Sequence, residues 1–155
     1  MGVVTKDLEL TSTVPPAKMF HAFCLNSDEV FPKVLPHAFK RIELVEGDGC
    51  AGSIKHITFA ETERFKHAKH KVDFLDKEKF EYHYSWIEGD ALMNVFEKVS
   101  YEIKFEAHHG GSVCKIKTKF FVIGDIHLDE NQFEEGKEKL VGLFRAVEGY
   151  VLAHP

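Results

Sequence analysis

The feature that most constrains the fold is an alternation of apolar and polar residues that runs, with interruptions, from Phe39 to Phe120. It is clearest in VSYEIKFE (99–106), where every second residue is apolar, and in CKIKTKF (114–120), where three lysines occupy the other positions. The turn HHGGS joins these two segments. A period of two is typical of half-buried strands, and a glycine-containing turn between two such runs predicts an antiparallel hairpin. We expect about six strands in this region.

The two ends of the chain follow other patterns. Residues 3–10 (VVTKDLEL) predict a first strand, and Pro15-Pro16 and then Asn26-Ser27-Asp28 predict two short helices, the second ending near Pro32 and Pro36. From Phe133 to Val151 the apolar spacing becomes three, four and seven, which predicts one long amphipathic helix. The order indicates an α+β fold in which this helix packs on one curved antiparallel sheet.

Composition narrows the class of protein. With 155 residues and 44% apolar residues, the chain predicts a single domain, 1–155. The net charge of −5, with acids and bases interleaved, argues against DNA or RNA as a partner. No apolar run is long enough to span a membrane. Cys24, Cys50 and Cys114 form no CxxC pair and follow no secretory leader, so we expect a cytoplasmic protein.

The inward positions of the predicted strands and helices are unusually aromatic. Such residues usually form a dry core. The hydroxyls of Tyr82, Tyr84 and Tyr101 would each cost about 1–3 kcal/mol if buried without a partner, so a ligand pocket is the alternative. Both interpretations stay open for the set Phe23, Phe31, Phe39, Phe59, Phe80, Tyr82, Tyr84, Trp86, Tyr101, Phe105, Phe120 and Phe144.

Two histidines, His67 and His70, lie on one predicted strand but differ in parity, so only a bulge would turn both inward. The sequence contains no helical H-x-x-x-H motif and no matching cysteine pair. We therefore expect neither a metal site nor a cofactor.

The segment EGDGCAGSIKHITF (46–59) resembles a phosphate-binding loop only superficially. A P-loop requires a lysine and a helix directly after its glycines, whereas Gly52 is followed by strand alternation. The glycines indicate a tight connection between two strands, and Lys55 offers at most a weak contact to an anion.

Several stretches together resemble the plant class 10 pathogenesis-related proteins, the family of the major birch-pollen allergen within the START-like superfamily. They occur in order along the whole chain: MGV, TSTVPPAKMFHAF, FPKVLPHAFK, VEGDGCAGSIKHITF, YSWIEGDAL, EKVSYEIK, HHGGSVCKIKTK and GKEKLVGLFRAVEGYVLAHP. The resemblance implies a seven-stranded curved antiparallel sheet wrapped around a long C-terminal helix. It also implies two short helices after the first strand and an enclosed hydrophobic cavity.

The resemblance further implies a defence-related intracellular protein that stores or carries small amphipathic plant metabolites or hormones, such as flavonoids, cytokinins, abscisic acid-like compounds, fatty acids and sterol-like compounds. It implies a monomer, with weak dimerisation left open. The ligand-binding residues that it implies are Phe23, Phe31, Phe39, Phe59, Phe65, His67, His70, Tyr82, Tyr84, Val99, Tyr101, Ile103 and Phe144. The chain departs from the family pattern at Cys50-Ala51, at His67 and His70, and at residues 120–125 (FFVIGD).

Enzymatic alternatives also come from the resemblance. A ribonuclease would use Glu97, Glu148 and Tyr150, with Lys55 at the phosphate, although nothing in the sequence brings these residues together. A condensing enzyme like norcoclaurine synthase would need a lysine in the cavity, whereas the lysines of segment 115–119 have outward parity.

Overall fold

A single antiparallel sheet of seven strands, in the order β1-β7-β6-β5-β4-β3-β2, forms the framework of the protein. The structure, a computed structural model, describes residues 2–155; Met1 of the MGV stretch lies outside them. The predicted α+β fold and the strand count are confirmed. The strands are β1 (Gly2–Ser12), β2 (Phe39–Glu46), β3 (Ile54–Phe59), β4 (His67–Asp76), β5 (Glu81–Glu88), β6 (Phe96–His108) and β7 (Gly111–Val122).

The predicted hairpin is the β6–β7 pair, in which Tyr101 is opposite Thr118 and Ile103 is opposite Ile116. Its turn uses a left-handed backbone, with φ of 46° at His109 and 83° at Gly110. β7 also pairs along its whole length with β1, so the first strand closes one edge of the sheet. The alternation seen in the sequence therefore separates an inner face from an outer face.

Two short helical segments follow β1, as the prolines predict. The first, α1 (Pro16–Phe20), continues as one π-helical turn (His21–Leu25), and the second is α2 (Ser27–Val34). The helix passes through Pro32 and ends at Val34, between Pro32 and Pro36, so its predicted end near these two prolines is confirmed. Proline removes only one N–H donor, which leaves the carbonyl of Asp28 without its helical partner but does not end the helix.

The C-terminal helix α3 (Glu130–Ala153) begins at a capping box, where the Asp129 side chain accepts from the Gln132 N–H and the Gln132 side chain accepts from the Asp129 N–H. Its apolar stripe is directed at the inner face of the sheet and fully buries Phe144 and Val147. No helix in residues 2–155 has both the length and the apolar character that crossing a membrane requires.

The core lies between α1, α3 and the inner face of the sheet. The ring of Phe23 contacts those of Phe105 and Phe144, with centroids 6.2 and 5.7 Å away, and Phe20 packs at 6.3 Å from Phe105. A second cluster, formed by Leu92, Phe96, Val99 and Val122, fills the opposite end of the sheet. Tyr101 lies between the two clusters and packs against both.

Candidate functional site

The middle of the inner face is built from the central strands β4, β5 and β6. The register places Val72 opposite Tyr84 and Tyr84 opposite Tyr101. On β4, His70 lies two residues before Val72 and therefore shares its face. The sheet thus gathers one histidine and several tyrosines on one wall, which faces α3 and α2.

Aromatic rings form a continuous band around this wall. Each ring centroid lies between 4.1 and 6.2 Å from the next one along the band. The band runs through Phe144, Phe23, Phe31, Phe39, Phe59, Trp86, Tyr101, Tyr84 and His70. Tilted, edge-on and stacked pairs at these distances are the favourable aromatic geometries.

Three polar atoms on this wall have no hydrogen-bond partner among residues 2–155. They are the hydroxyls of Tyr84 and Tyr101 and Nδ1 of His70, whose Nε2 is 3.1 Å from the Tyr82 hydroxyl. In the same part of the chain, Thr58 Oγ1 is the one side-chain polar atom that is both enclosed and unpartnered. The other three atoms therefore keep accessible surface and are available to a molecule placed against the wall.

Tyr84 and Tyr101 combine deep burial with some remaining accessible surface. Burial raises the pKa of Tyr101 to about 12 and that of Tyr84 well above its usual value of 10.0. Both tyrosines nevertheless remain only partly buried by surface area. Packing on the inner side of the sheet therefore leaves part of each of these two rings accessible.

His70 is a neutral group in this environment. Burial, reinforced by the positive charge of Lys55, lowers its pKa from 6.5 to about 3. Its imidazole stacks on Tyr84 with centroids 4.1 Å apart. A neutral imidazole offers one donor and one acceptor, so His70 can exchange one hydrogen bond with Tyr82 and one with a ligand.

The inner wall also carries a lysine that the sequence interpretation placed elsewhere. Lys55 is buried, lies opposite His70 in the β3–β4 register, and its Nζ lies 2.7 Å from Oδ1 of Asp28 on α2. The sequence signal was present, since Lys55 has the same parity as Ile57 and Phe59. The glycines before Lys55 indicate a loop, whereas its parity indicates the inner face of β3.

Most of the predicted lining residues lie on the inner side, but two do not join it. His67 is exposed on the outer face, where its ring centroid is 5.6 Å from that of His56, so the prediction that it lines the interior with His70 is wrong. The β3–β4 register is unbroken between the two histidines, and the register shift at Lys69/His70 in the β4–β5 pairing places the extra residue, Ile87, on β5, so the parity difference on β4 is kept. Phe65 lies in the β3–β4 connection, with the Arg64 guanidinium carbon 5.0 Å from its ring centroid.

The residues predicted for a ribonuclease are dispersed. Glu97 is exposed at the start of β6, whereas Glu148 is next to His108 at the far end of that strand, in a surface depression of about 430 Å³. Up to about 36 Å of strand, at about 3.3 Å per residue, separates these two ends. Tyr150 lines a different depression of about 410 Å³, and Lys55 is held by Asp28. The structure does not assemble an acid, a base and a cation around one point.

The glycine loop is a strand connection, as predicted. Gly47, Gly49 and Gly52 have φ between 85° and 99°. The Gly49 N–H donates to Ser53 Oγ at 2.8 Å, and the Cys50 N–H donates to Asp48 Oδ1 at 3.0 Å. The loop thus uses its polar groups internally.

Residues 120–126, at and beyond the end of β7, include both packed and exposed apolar side chains. Phe120 packs under α3, 5.0 Å from Phe133, whereas Ile123 and Ile126 are exposed. Residues 2–155 bring no three His, Cys, Asp or Glu side chains together in a way that could hold a metal ion.

Comparison with known proteins agrees with this geometry. The model of the "Pathogenesis-related protein Bet v 1 family" matches residues 1–154. The major allergen Pru ar 1 of Prunus armeniaca is 47% identical over 156 residues, which cover 100% of this chain and 98% of that protein. The crystal structure of Ara h 8.0201 is 40% identical, with a TM-score of 0.90 over 98% of this chain and 99% of that one.

A more distant structure shares the fold alone. Norcoclaurine synthase from Thalictrum flavum is 23% identical, with a TM-score of 0.73 over 99% of this chain and 89% of that one. The family model and the 47% identity over the whole chain confirm the resemblance drawn from the sequence. The chain belongs to the pathogenesis-related protein Bet v 1 family.

Proposed function

We propose that the protein binds small, mostly planar amphipathic metabolites in the internal space between the sheet and α3. The observation that carries this proposal is the pair of hydroxyls on Tyr84 and Tyr101, which lie deep in an aromatic wall without a protein partner. A dry core would leave such hydroxyls at a cost of about 1–3 kcal/mol each. Because both hydroxyls keep accessible surface, a bound ligand that carries polar groups can supply the missing hydrogen bonds.

The wall offers a ligand two kinds of contact, apolar surface and hydrogen-bonding groups. The aromatic band offers apolar surface, whose burial contributes about 25 cal/mol per Å². The polar atoms of Tyr84, Tyr101 and His70 lie close together, since their rings stack in sequence at 4.1 and 4.8 Å. They orient a ligand that carries hydroxyl or ring-nitrogen groups along one edge.

The sequence resemblance implies flavonoids, cytokinins, abscisic acid-like compounds, fatty acids and sterol-like molecules as ligand classes, of which flavonoids and cytokinins fit this description best. We assign the protein the role of a cytoplasmic, defence-related store or carrier for such compounds in plant cells. Support for aromatic ligands comes from the fold neighbour norcoclaurine synthase, whose structure is a complex with dopamine and hydroxybenzaldehyde.

The proposal is one of binding without turnover. Glu97 lies at the start of β6, whereas Glu148, on α3, lies near the other end of that strand, so the two do not bracket a common substrate. The outward parity predicted for the β7 lysines is confirmed, since Lys115 and Lys119 pair with Glu106 and Glu102 outside the wall. Lys55 is the inner lysine, and its ammonium group is held by Asp28.

The test is titration of the purified protein with N-phenyl-1-naphthylamine, an uncharged apolar fluorophore, followed by displacement with members of each ligand class. We expect saturable binding with a Kd of about micromolar order. Tyr84→Phe and Tyr101→Phe should weaken displacement by hydroxylated ligands about fivefold or more, because each removes a hydrogen bond worth about 1 kcal/mol. Tyr150→Phe removes the same group from a helix surface outside the wall and serves as the control. Absence of saturable fluorescence, or equal effects of all three substitutions, would contradict the proposal.

A further inference from the structure

The interior contains one buried cation and one nearby anion. Among residues 2–155, Lys55 is the one Lys, Arg, Asp or Glu residue that is buried. Its side chain is 6% exposed and that of its partner Asp28 is 30% exposed, with Nζ and Oδ1 2.7 Å apart. Asp28 lies in the first turn of α2, where the N-terminal end of a helix favours a carboxylate. Both the lysine and the N-terminal end of the helix therefore hold the Asp28 carboxylate in place.

The other polar groups of the wall carry no formal charge. His70, opposite Lys55 in the register, is neutral because the buried ring and the neighbouring ammonium disfavour its protonated form. Burial keeps Tyr82, Tyr84 and Tyr101 in their protonated, uncharged state. The charges of Lys55 and Asp28 thus cancel, and the wall is neutral as a whole.

We propose that Asp28 makes the interior selective for uncharged ligands by compensating the charge of Lys55. This inference rests on the proposed binding function and narrows its ligand class. Uncharged phenols and purine-like molecules are bound in preference to carboxylates such as fatty-acid anions.

The physical reason is the cost of moving an anion from water into the protein. That cost is recovered only if a cation is available at close range in the interior. Lys55 has three N–H donors but already holds a carboxylate at 2.7 Å, so an entering anion must compete with Asp28 and is repelled by it. An uncharged ligand has no such desolvation cost and can still use the remaining donors of Lys55.

The test compares two fluorophores that differ in a single charged group. N-phenyl-1-naphthylamine is uncharged, and 8-anilino-1-naphthalenesulfonate is the same ring system with one sulfonate. We expect the unsubstituted protein to favour the uncharged probe. Asp28→Asn should raise the affinity for the sulfonate about tenfold or more and change that for the uncharged probe little, because Lys55 is then uncompensated. Glu29→Gln removes one negative charge from the exposed side of the same helix and should change neither affinity.

A double substitution keeps the test decisive if Asp28→Asn reduces stability. Asp28→Asn with Lys55→Met removes both charges, so the sulfonate affinity should return to that of the unsubstituted protein. The inference is overturned if Asp28→Asn and Glu29→Gln affect the sulfonate equally, or if the gain persists in the double variant. These outcomes concern the ratio of the affinities for the two probes. Failure of the uncharged probe to bind the unsubstituted protein would instead reject the binding function itself, and with it this inference.

Discussion

The imidazole of His70 lies flat against the phenol ring of Tyr84, with centroids 4.1 Å apart and planes inclined by 4°. The same imidazole bonds the Tyr82 hydroxyl through Nε2. Stacking fixes the plane of the ring and the hydrogen bond fixes its rotation, so Nδ1 has a defined direction on the inner wall. A titratable group held in this way should make the stability of the protein depend on pH.

The first prediction concerns that dependence. His70 has a pKa of about 3 in the folded protein and an ordinary value of 6.5. Above pH 6.5 the ring is neutral in both states and its contribution to stability is complete. As the pH falls from 6.5 towards 3, only the unfolded chain takes up the proton, so the free energy of unfolding decreases by about 1.4 kcal/mol per pH unit.

Urea unfolding at pH 7.5 and 5.0 measures this effect. Between these pH values the free energy of unfolding should fall by about 2 kcal/mol more in the unsubstituted protein than in His70→Phe. The phenylalanine keeps an aromatic ring but cannot titrate. The remaining histidines are common to both proteins and cancel in the comparison. The same pH dependence in both proteins would show that His70 is not the neutral group described above.

The second prediction separates two tyrosines that are neighbours on β5. Tyr82→Phe removes the hydrogen bond to His70 at 3.1 Å and should lower the free energy of unfolding by about 1 kcal/mol. Tyr84→Phe removes a hydroxyl without a protein partner, so the free energy of unfolding of the ligand-free protein should change by less than about 0.5 kcal/mol. Denaturant titrations of both variants provide the measurement. A larger loss for Tyr84→Phe than for Tyr82→Phe would mean that the Tyr84 hydroxyl has a structural partner.

The fold could be predicted from the sequence because the spacing of apolar residues is regular in the strands and in the C-terminal helix. Given the alternation in β6 and β7, one pairing register buries Ile103 and Ile116 together. The apolar residues of α3 form one stripe along the helix, which buries Phe144 and Val147. The end of α2 was less predictable. Pro32 disfavours a helix locally, but packing of Phe31 against Phe23 and Phe39 favours continuation.

The candidate site was predicted only in part, because polar partners distant in sequence cannot be paired from sequence alone. Parity identified the tyrosines as inward residues and placed His67 and His70 on opposite faces of the sheet, yet the family pattern favoured both histidines as lining residues. Nothing local links Asp28 on a helix with Lys55 on a strand, since the pair forms only when α2 packs across the sheet. The pairing changes Lys55 from a loop cation into part of the inner wall.

The third prediction concerns the thiols. Cys24 and Cys114 are buried, and burial raises the pKa of each thiol well above its usual value of 9.0. Cys50 is exposed in the glycine loop. Iodoacetamide at pH 8 should therefore modify Cys50 in the folded protein and reach the other two only after denaturation. Mass spectrometry of Cys50→Ser provides the check, because that variant should stay unmodified until it unfolds. Rapid labelling of folded Cys50→Ser would show that the interior around Cys24 or Cys114 opens readily.

The fourth prediction contrasts two glycines. Gly89 has φ of 121°, and a Cβ there would clash with the His67 carbonyl and lie 2.7 Å from the Ala68 Cα. It also positions Asp90, whose carboxylate accepts the N–H groups of Lys66 and His67 at 2.9 to 3.0 Å and so ties the β5–β6 connection to the start of β4.

Gly89→Ala should accordingly lower the free energy of unfolding by about 2–4 kcal/mol, since both the backbone conformation and the close approach to β4 oppose a side chain. Gly136, within α3, has open space where a Cβ would stand. Gly136→Ala should raise stability by about 0.5–1 kcal/mol, because alanine loses less conformational entropy in a helix. The urea unfolding midpoints of the two variants, measured under the same conditions as the unsubstituted protein, test both expected changes in stability. If Gly89→Ala were as stable as the unsubstituted protein, the β5–β6 connection would have to adopt another path over β4, and Asp90 would no longer hold the start of that strand.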